Sequence, residues 1–232
     1  MPRSNPEANA AAFAPGQDDV FGRIAGKYDI LCDLFSFGIH RLWKRAIARE
    51  IPGSRTIIAS DLSAPMLSIA SRRLHRHRDR VRFELLDMEE MPSIPSDSVD
   101  AYSISLGLKI CDRKRALQEA YRVLRPGGRL ILLEASNIPI GIINRAYLAY
   151  MSLCMPTLGW LATGGDSSAY RYLLDGIRGF PSAERLADEI HGCGFAEVRF
   201  RRRSAGIVAI HVATKSHGIP ATDAFAALAG AG

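Results

Sequence analysis

The stretch T-I-I-A-S-D-L-S-A-P-M-L at residues 56–67 decides the fold. Its β-branched start is typical of a buried strand, and Asp61 ends that strand. Ser63 can cap the helix that follows, with Pro65 inside its first turn. The pattern therefore places Asp61 at the carboxyl edge of a parallel sheet, where doubly wound folds use an acid to bind a nucleotide ribose. The alternative is an aspartate that only supports the start of the helix.

A strand–helix rhythm continues after this stretch. Alternating or apolar runs predict three more strands, at 81–86, 99–106 and 129–134, and an amphipathic helix at 112–123. A tight turn is predicted at 125–128, and a last antiparallel pair of strands at 197–202 and 206–213. This rhythm indicates parallel strands joined by helices, which is the signature of an α/β fold.

The composition suits one globular domain. The chain has 232 residues, of which 47% are hydrophobic. We expect the domain at 20–214, between a disordered arm at 1–19 and a flexible tail at 215–232. The four cysteines form no C-x-x-C pair, which argues against a disulfide framework or a metal site. A reduced, cytoplasmic compartment is therefore expected.

Charge and apolarity bear on the partners. The formal net charge is +6, and basic residues cluster at 41–49, 72–80 and 199–203. These clusters are either solvated faces or surfaces that attract an anionic membrane, and no nucleic-acid-binding module supports a nucleic-acid partner. The apolar segment 138–163 predicts two short helices around Pro156, forming either a lid over the sheet edge or ordinary core. It is too interrupted to span a membrane.

Several motifs together resemble one family. They are K-Y-D at 27–29, L-F-S-F-G-I-H-R-L-W-K-R at 34–45, R-V-L-R-P-G-G-R-L at 122–130, S-A-Y-R-Y-L at 168–173 and A-G-I-V-A-I-H at 205–211. In this order they are similar to motifs of the ubiquinone/menaquinone biosynthesis C-methyltransferases, and the resemblance covers 20–214. It implies a Rossmann-like class I methyltransferase fold that uses S-adenosyl-L-methionine to methylate a ring carbon of a prenylated quinol, with no metal.

The resemblance also implies roles for particular residues. The residues expected at the cofactor are Asp61, Leu62, Asp87, Met88 and Ser105. Asp61 would hold the ribose hydroxyls, and the pair at 87–88 would lie beside the adenine. Those expected at the quinol head group are His40, Arg41, Tyr170 and Arg171. The catalytic candidates are Tyr28, which would close over the methyl donor, and Lys109. A prenylated substrate favours a peripheral position on the inner membrane surface.

One departure from the family lies after the strand at 99–106. The family continues with Gly, then Leu or Ile, then Arg-Asn, whereas this chain has G-L-K-I at 107–110. Lys109 keeps the positive charge but lacks the guanidinium fork, so bidentate contacts are lost. Ile110 cannot replace the hydrogen bonds of an amide.

A larger departure is the missing glycine-rich loop. No sequence of the D-x-G-x-G-T-G-D type occurs, and Asp61 follows Trp43 by only 18 residues. A strand–helix–strand crossover needs about 30 residues or more. The segment 46–53 resembles the second half of the crossover helix, so the chain passes from Arg45 in the N-terminal helix directly to Ala46. The first central strand of the sheet is then lacking or substituted.

Three explanations of this gap stay open at the sequence level. The chain is a degenerate family member, or it has rebuilt the sheet with a neighbouring strand or a partner chain, or the sequence is an incomplete version of an ordinary enzyme. The second explanation would make the protein a homo-oligomer if the partner is a second copy. The main functions to distinguish are accordingly a methyltransferase and a non-catalytic descendant that binds a partner or a lipid-like ligand. A third alternative is an enzyme of the same fold that catalyses a reaction other than methyl transfer, which the fold alone does not exclude.

Overall fold

The computed structural model describes residues 28–36, 38–51, 53, 56–163 and 168–216. The predicted arm at 1–19 and residues 217–232 of the predicted tail lie outside this range. The helices are α1 (Tyr28–Ser36), α2 (His40–Ala48), α3 (Ala64–Arg73), α4 (Arg113–Val123), α5 (Gly141–Thr163), α6 (Ser168–Gly179) and α7 (Ala183–Gly192). The strands are β1 (Ile57–Asp61), β2 (Val81–Leu85), β3 (Val99–Ser105), β4 (Leu124–Ala135), β5 (Phe195–Arg203) and β6 (Val208–Lys215).

The described strands form two sheets. Strands β1 and β2 pair in parallel, in register from Ile57 opposite Val81 to Asp61 opposite Leu85. The other sheet has the order β3-β4-β6-β5, in which β3 and β4 are parallel and β6 runs antiparallel to both of its neighbours. The predicted α/β fold and the predicted antiparallel pair at the end of the chain are therefore confirmed.

The break between the sheets lies where the first strand is expected. In the doubly wound order 3-2-1-4-5-6, the first strand lies between the second and the fourth. Here β2 and β1 occupy positions three and two, β3 and β4 occupy positions four and five, and no described strand lies between β1 and β3. Within the described residues this position holds no strand, which agrees with the prediction that the first central strand is lacking or substituted. Side chains still connect the two sheets, because Ile58 of β1 packs in the same apolar cluster as Val99 and Tyr102 of β3.

Helix α2 carries the chain across the predicted gap without interruption. The helix continues through Arg45 and Ala46, and its buried residues Trp43 and Ile47 lie four positions apart, on one face. They pack against one side of the four-stranded sheet, on the buried side chains Ile131, Leu133, Val208, Ile210 and Val212. The indole Nε1 of Trp43 also donates a hydrogen bond to Ser204 Oγ at 2.9 Å. Helix α2 is therefore anchored by residues on both sides of the junction.

The opposite side of the same sheet carries the larger core. The fully buried Leu117 of α4 and Leu186 and Ile190 of α7 pack there against Leu130 and Leu132 of β4. Both helices begin at a side-chain cap, since Asp112 Oδ1 accepts from the Arg115 N–H at 3.1 Å and the Ser182 hydroxyl oxygen accepts from the Arg185 N–H at 3.3 Å. Strand β4 is therefore covered on both faces and forms the centre of the fold.

The local prediction for the apolar segment is wrong. Segment 138–163 forms one long helix, α5, with Pro156 inside it, and not two short helices. The buried Met151 and Met155 hold the helix on the body at this point, so packing outweighs the backbone hydrogen bond that proline removes. The tight turn predicted at 125–128 is present and forms a bulge within β4, because Gly127 has a φ of 78° and Val99 pairs with Leu124 whereas Ala101 pairs with Arg129. Among the described helices, none has the length and apolarity needed to cross a membrane.

Candidate active site

Asp61 fixes the turn that leads from β1 into α3. Its Oδ1 accepts a hydrogen bond from the Ser63 N–H at 2.8 Å, and its carbonyl oxygen accepts one from the Leu86 N–H at 3.2 Å. Ser63 occupies the N-cap position but makes no side-chain capping bond, so the predicted serine cap is wrong. A carboxylate has about four acceptor positions, so the turn and a ribose are compatible partners of Asp61. Leu62 follows at the partly exposed surface.

The ends of β2 and β3 meet beside this turn. Asp87 follows β2, is exposed, and accepts a hydrogen bond from the Glu89 N–H at 2.8 Å. A Cβ on Gly107 would lie only 3.0 Å from Met88 Cε, so the backbone after β3 lies directly against the half-buried Met88. Ser105 is the last residue of β3 and is exposed. The cofactor candidates therefore lie at the carboxyl ends of three strands.

Lys109 lies in the segment 106–110, a short turn that follows β3 and leads towards α4. The segment starts at Leu106, whose φ of 59° lies in the left-handed region that costs a leucine about 1 kcal/mol or more. Lys109 is half-buried, and its Nζ donates a hydrogen bond to the Leu106 carbonyl oxygen. A Cβ on Gly176 of α6 would lie 3.1 Å from the Lys109 carbonyl oxygen, so α6 packs closely on the turn. Helix α6 also carries Tyr170 and Arg171, whose side chains lie outside the described part of the structure.

The remaining candidates lie on α1 and α2. His40 is buried, and its Nδ1 lies 2.9 Å from Ser36 Oγ. Arg41 donates two hydrogen bonds to the Asp33 carboxylate, at 2.9 and 2.5 Å, and this pairing lowers the pKa of Asp33. Tyr28 is the first described residue of α1, but its side chain is not described. These hydrogen bonds of His40 and Arg41 connect α2 to α1. The quinol-binding role of both residues stays a prediction.

One buried acid beside this region was missed by the sequence reasoning. Glu134 lies near the end of β4, is 0% exposed, and accepts a hydrogen bond from the Leu108 N–H at 2.6 Å. Burial raises the pKa of its carboxyl group, and the nearby positive charge of Lys109 opposes that rise. The signal was present in the sequence, because Glu134 directly follows the apolar run L-I-L-L, and an acid at a buried position is uncommon.

Comparison with known proteins identifies the family. The family model described as the ubiE/COQ5 methyltransferase family matches residues 14–57 and 46–215. The chain belongs to this family. A relative from Methylobacterium nodulans, named ubiquinone/menaquinone biosynthesis C-methyltransferase UbiE, is 36% identical over 84% of this chain and 88% of its own length. A protein of the same name from Hahella chejuensis is 34% identical over 85% of this chain and 90% of its own length.

The comparisons also measure the gap. The alignment with the Methylobacterium nodulans protein is 224 positions long but takes up 84% of this chain, or about 195 residues, so about 29 positions of the relative have no counterpart here. The alignment with the Cereibacter sphaeroides UbiE protein, at 238 positions and 90% of the chain, again gives about 29. The second segment matched by the family model begins at residue 46, where the sequence predicts that the chain re-enters the family pattern.

Solved structures agree on the fold. The S-adenosylmethionine-dependent methyltransferase from Thermotoga maritima, described as a possible histamine N-methyltransferase, has a TM-score of 0.62 at 20% identity and covers 85% of this chain and 98% of its own. The CurJ carbon methyltransferase has a TM-score of 0.57 at 17% identity and covers 91% of this chain and 65% of its own. At these identities the likeness shows the class I methyltransferase fold and nothing finer.

Family membership makes the protein an S-adenosylmethionine-dependent methyltransferase. The described residues fit the nucleoside part of this cofactor, because Asp61 and Asp87 supply carboxylate acceptors at adjacent strand ends and Met88 supplies an apolar side chain beside them. When bound, the cofactor supplies an electrophilic methyl group on a sulfonium. The glycine-rich loop of the family has no counterpart in the sequence, so the residues that would hold the rest of the cofactor are not defined by that motif.

Proposed function

We propose that the protein is a C-methyltransferase of quinone biosynthesis that acts on a prenylated quinol of the demethylmenaquinol or 2-polyprenyl-6-methoxybenzoquinol type. The observation that carries the proposal is the similarity of this chain to relatives named ubiquinone/menaquinone biosynthesis C-methyltransferase. They are 34–36% identical to it over 84–90% of its length. Candidate residues for the cofactor and for the substrate also occur together, since Met88 lies against Gly107 and α6 lies against Lys109.

The chain's own residues have two tasks in this reaction. They hold the ring carbon in line with the methyl group, which makes the transfer effectively intramolecular. They also assist the loss of a proton from a ring hydroxyl, which makes the ring carbon more nucleophilic. Lys109 is the candidate for stabilising the developing negative charge on the ring oxygen, as a point charge and not as a bidentate fork.

The exposed face of α5 is the candidate contact for the prenyl tail and the membrane surface. Ile142, Leu153 and Trp160 are 69%, 71% and 55% exposed, and Ile30, on the neighbouring α1, is 68% exposed. A set of exposed large apolar side chains is typical of a surface that meets lipid or another partner. Arg145 on the same helix adds a positive charge that an anionic lipid surface would attract.

The alternative is a degenerate, non-catalytic member of the family that binds a partner or a lipid-like ligand. It is supported by the absence of a central strand among the described residues and by the absence of the glycine-rich motif from the sequence. A second copy of the chain could supply a strand between β1 and β3 and so restore a continuous sheet. Such a homo-oligomer is compatible with the non-catalytic alternative and with an active enzyme.

Cofactor binding and methyl transfer separate the two functions. Purified protein is titrated with S-adenosylmethionine by calorimetry and then assayed with a short-chain demethylmenaquinol. We expect saturable binding and a methylated product. For Asp61→Ala we expect cofactor binding weaker by about tenfold or more, because hydrogen bonds to a charged acceptor contribute about 1.5–3 kcal/mol.

Asp100→Asn is the matched control, because this exposed aspartate lies at the opposite end of β3 and pairs with Arg125. Its affinity for the cofactor should equal that of the wild type. No saturable binding at millimolar cofactor would contradict the methyltransferase and favour the non-catalytic alternative. Unchanged binding by Asp61→Ala would show that Asp61 serves only the turn into α3.

A further inference from the structure

Glu134 is an acid that directly follows the apolar, buried run 130–133 of β4. Its neighbours Leu132 and Leu133 are 0% exposed, as is Glu134 itself. Burying a carboxyl group costs several kcal/mol unless hydrogen bonds compensate. Its Oε1 accepts from the Leu108 N–H, and the backbone of Gly107 also contributes a hydrogen bond, but Oε2 has no partner within the described part of the chain. A carboxyl group buried in this way is explained if its hydrogen bonds position a neighbouring backbone segment, which an apolar side chain could not do.

The backbone that Glu134 holds is the segment 106–110. Nothing in its sequence specifies the conformation, because Leu106 adopts a left-handed φ of 59° that leucine disfavours. The segment connects two parts of the proposed site, since Gly107 lies against Met88 on the cofactor side and the Lys109 carbonyl lies against Gly176 of α6. The Leu106 N–H already donates to the Leu133 carbonyl oxygen, and Lys109 Nζ donates to the Leu106 carbonyl oxygen. The Glu134 carboxyl group is therefore the side chain that fixes the next residues, 107–108.

We propose that Glu134 is the positioning residue of the active site, holding the turn at 107–108 so that Lys109 is placed for methyl transfer. Glu134 acts through the backbone and touches neither substrate nor cofactor. The role of Lys109 in methyl transfer rests on the proposed function, whereas the attachment of the turn to Glu134 does not.

The proposed role requires that the side chain at position 134 carries an acceptor oxygen and is long enough to reach the Leu108 N–H. Burial raises the pKa of Glu134 and so favours the neutral acid, which a glutamine resembles in shape and in its acceptor oxygen. Glu134→Gln should therefore keep the hydrogen bond from Leu108. Glu134→Asp keeps the acid but is one methylene shorter, so it cannot reach the Leu108 N–H at its present 2.6 Å.

Two measurements test the proposal. The first is amide hydrogen exchange at Leu108, which does not depend on any activity. We expect exchange to be about tenfold faster or more in Glu134→Ala and Glu134→Asp, as for loss of a typical hydrogen bond, and unchanged in Glu134→Gln. The second is methyl-transfer kinetics, in which we expect kcat to fall by about 100-fold in the Ala and Asp variants, as for a displacement of about 1 Å, with cofactor affinity largely kept.

Lys215→Met is the matched control, because Lys215 is also buried and charged but lies at the opposite edge of the sheet. Its Nζ donates to Asp97 Oδ1 and to the Tyr121 carbonyl oxygen, both at 2.7 Å. This variant should lower the melting temperature without changing kcat or the exchange of Leu108. If Glu134→Ala does not fold, the comparison of Gln with Asp decides the question.

Two results would overturn the proposal. One is unchanged exchange at Leu108 in the Asp and Ala variants, and the other is a Gln variant as impaired as the Asp variant, which would make the charge and not the acceptor bond the important feature. A wild-type protein that transfers no methyl group would contradict the proposed function alone, and the exchange measurement would still decide the role of Glu134.

Discussion

Replacing Trp43 by alanine tests how the chain crosses its internal gap. Trp43 is 8% exposed on α2, packs on the four-stranded sheet beside Ile131 and Leu133, and donates a hydrogen bond to Ser204. Truncating a buried tryptophan to alanine costs about 3–5 kcal/mol, and the lost hydrogen bond is included in that range as about 1 kcal/mol. Because domains are stable by only about 5–15 kcal/mol, Trp43→Ala should leave the protein close to unfolding.

The measurement is urea unfolding followed by far-UV circular dichroism. Trp43→Phe keeps most of the apolar contact and loses the hydrogen bond. The lost bond should lower the free energy of unfolding by about 1 kcal/mol, in addition to the effect of the smaller side chain, and Ser204→Ala should lower it by a similar amount. Trp160→Ala is the control, because this tryptophan is 55% exposed and its removal should change stability by no more than about 0.5 kcal/mol.

A loss below about 1 kcal/mol for Trp43→Ala would refute this reasoning, since a side chain that anchors a helix on a core cannot be removed at the cost of a surface substitution. The two residues that hold α2 lie on opposite sides of the Arg45–Ala46 junction. A small loss would therefore mean that α2 is not fixed on the sheet and that the chain crosses the gap in another way.

Two further outcomes are expected. Burial lowers the pKa of His211 below its unfolded value, so the unfolded chain binds a proton that the folded chain does not. The free energy of unfolding should therefore fall as the pH drops below about 6.5. In urea titrations of His211→Asn, the free energy of unfolding should change less steeply with pH. An equal slope in both proteins would contradict this. In Gly176→Ala the new Cβ would meet the Lys109 carbonyl at 3.1 Å, so kcat and melting temperature should fall, whereas Gly141→Ala, with nothing within 4 Å, should be neutral or slightly stabilising. Equal effects of the two alanines would show that α6 is free to shift.

The sequence was sufficient wherever local pattern and tertiary packing agree. The strand ending at Asp61 and the antiparallel pair at the end of the chain were predicted because apolar alternation, turn residues and burial all specify the same element. The first strand that is absent from the described residues was predicted to be lacking or substituted from a count of residues, since the 17 residues between Trp43 and Asp61 cannot hold a strand, a loop and a crossover helix.

The sequence was insufficient where packing overrides a local signal. Pro156 is a strong helix breaker, yet α5 continues through it because the buried Met151 and Met155, which precede the proline, fix the helix on the body. Glu134 has no local partner, and its hydrogen bond to Leu108 connects residues 26 positions apart. An interaction of that separation depends on the pairing of β3 with β4, which no propensity of either segment encodes.

The position of the gap explains which parts of the site remain. The acids at the ends of β1 and β2 belong to the two-stranded sheet, whereas Ser105, the turn at 107–108 and Glu134 belong to the four-stranded sheet. No backbone ladder joins the two sheets in the described chain, so side chains such as Ile58 and Met88 carry the connection. A cofactor bound in the proposed site would contact both sheets at once and would stabilise the folded state by mass action. Cofactor binding is therefore expected to strengthen the connection that side chains already make between the two sheets.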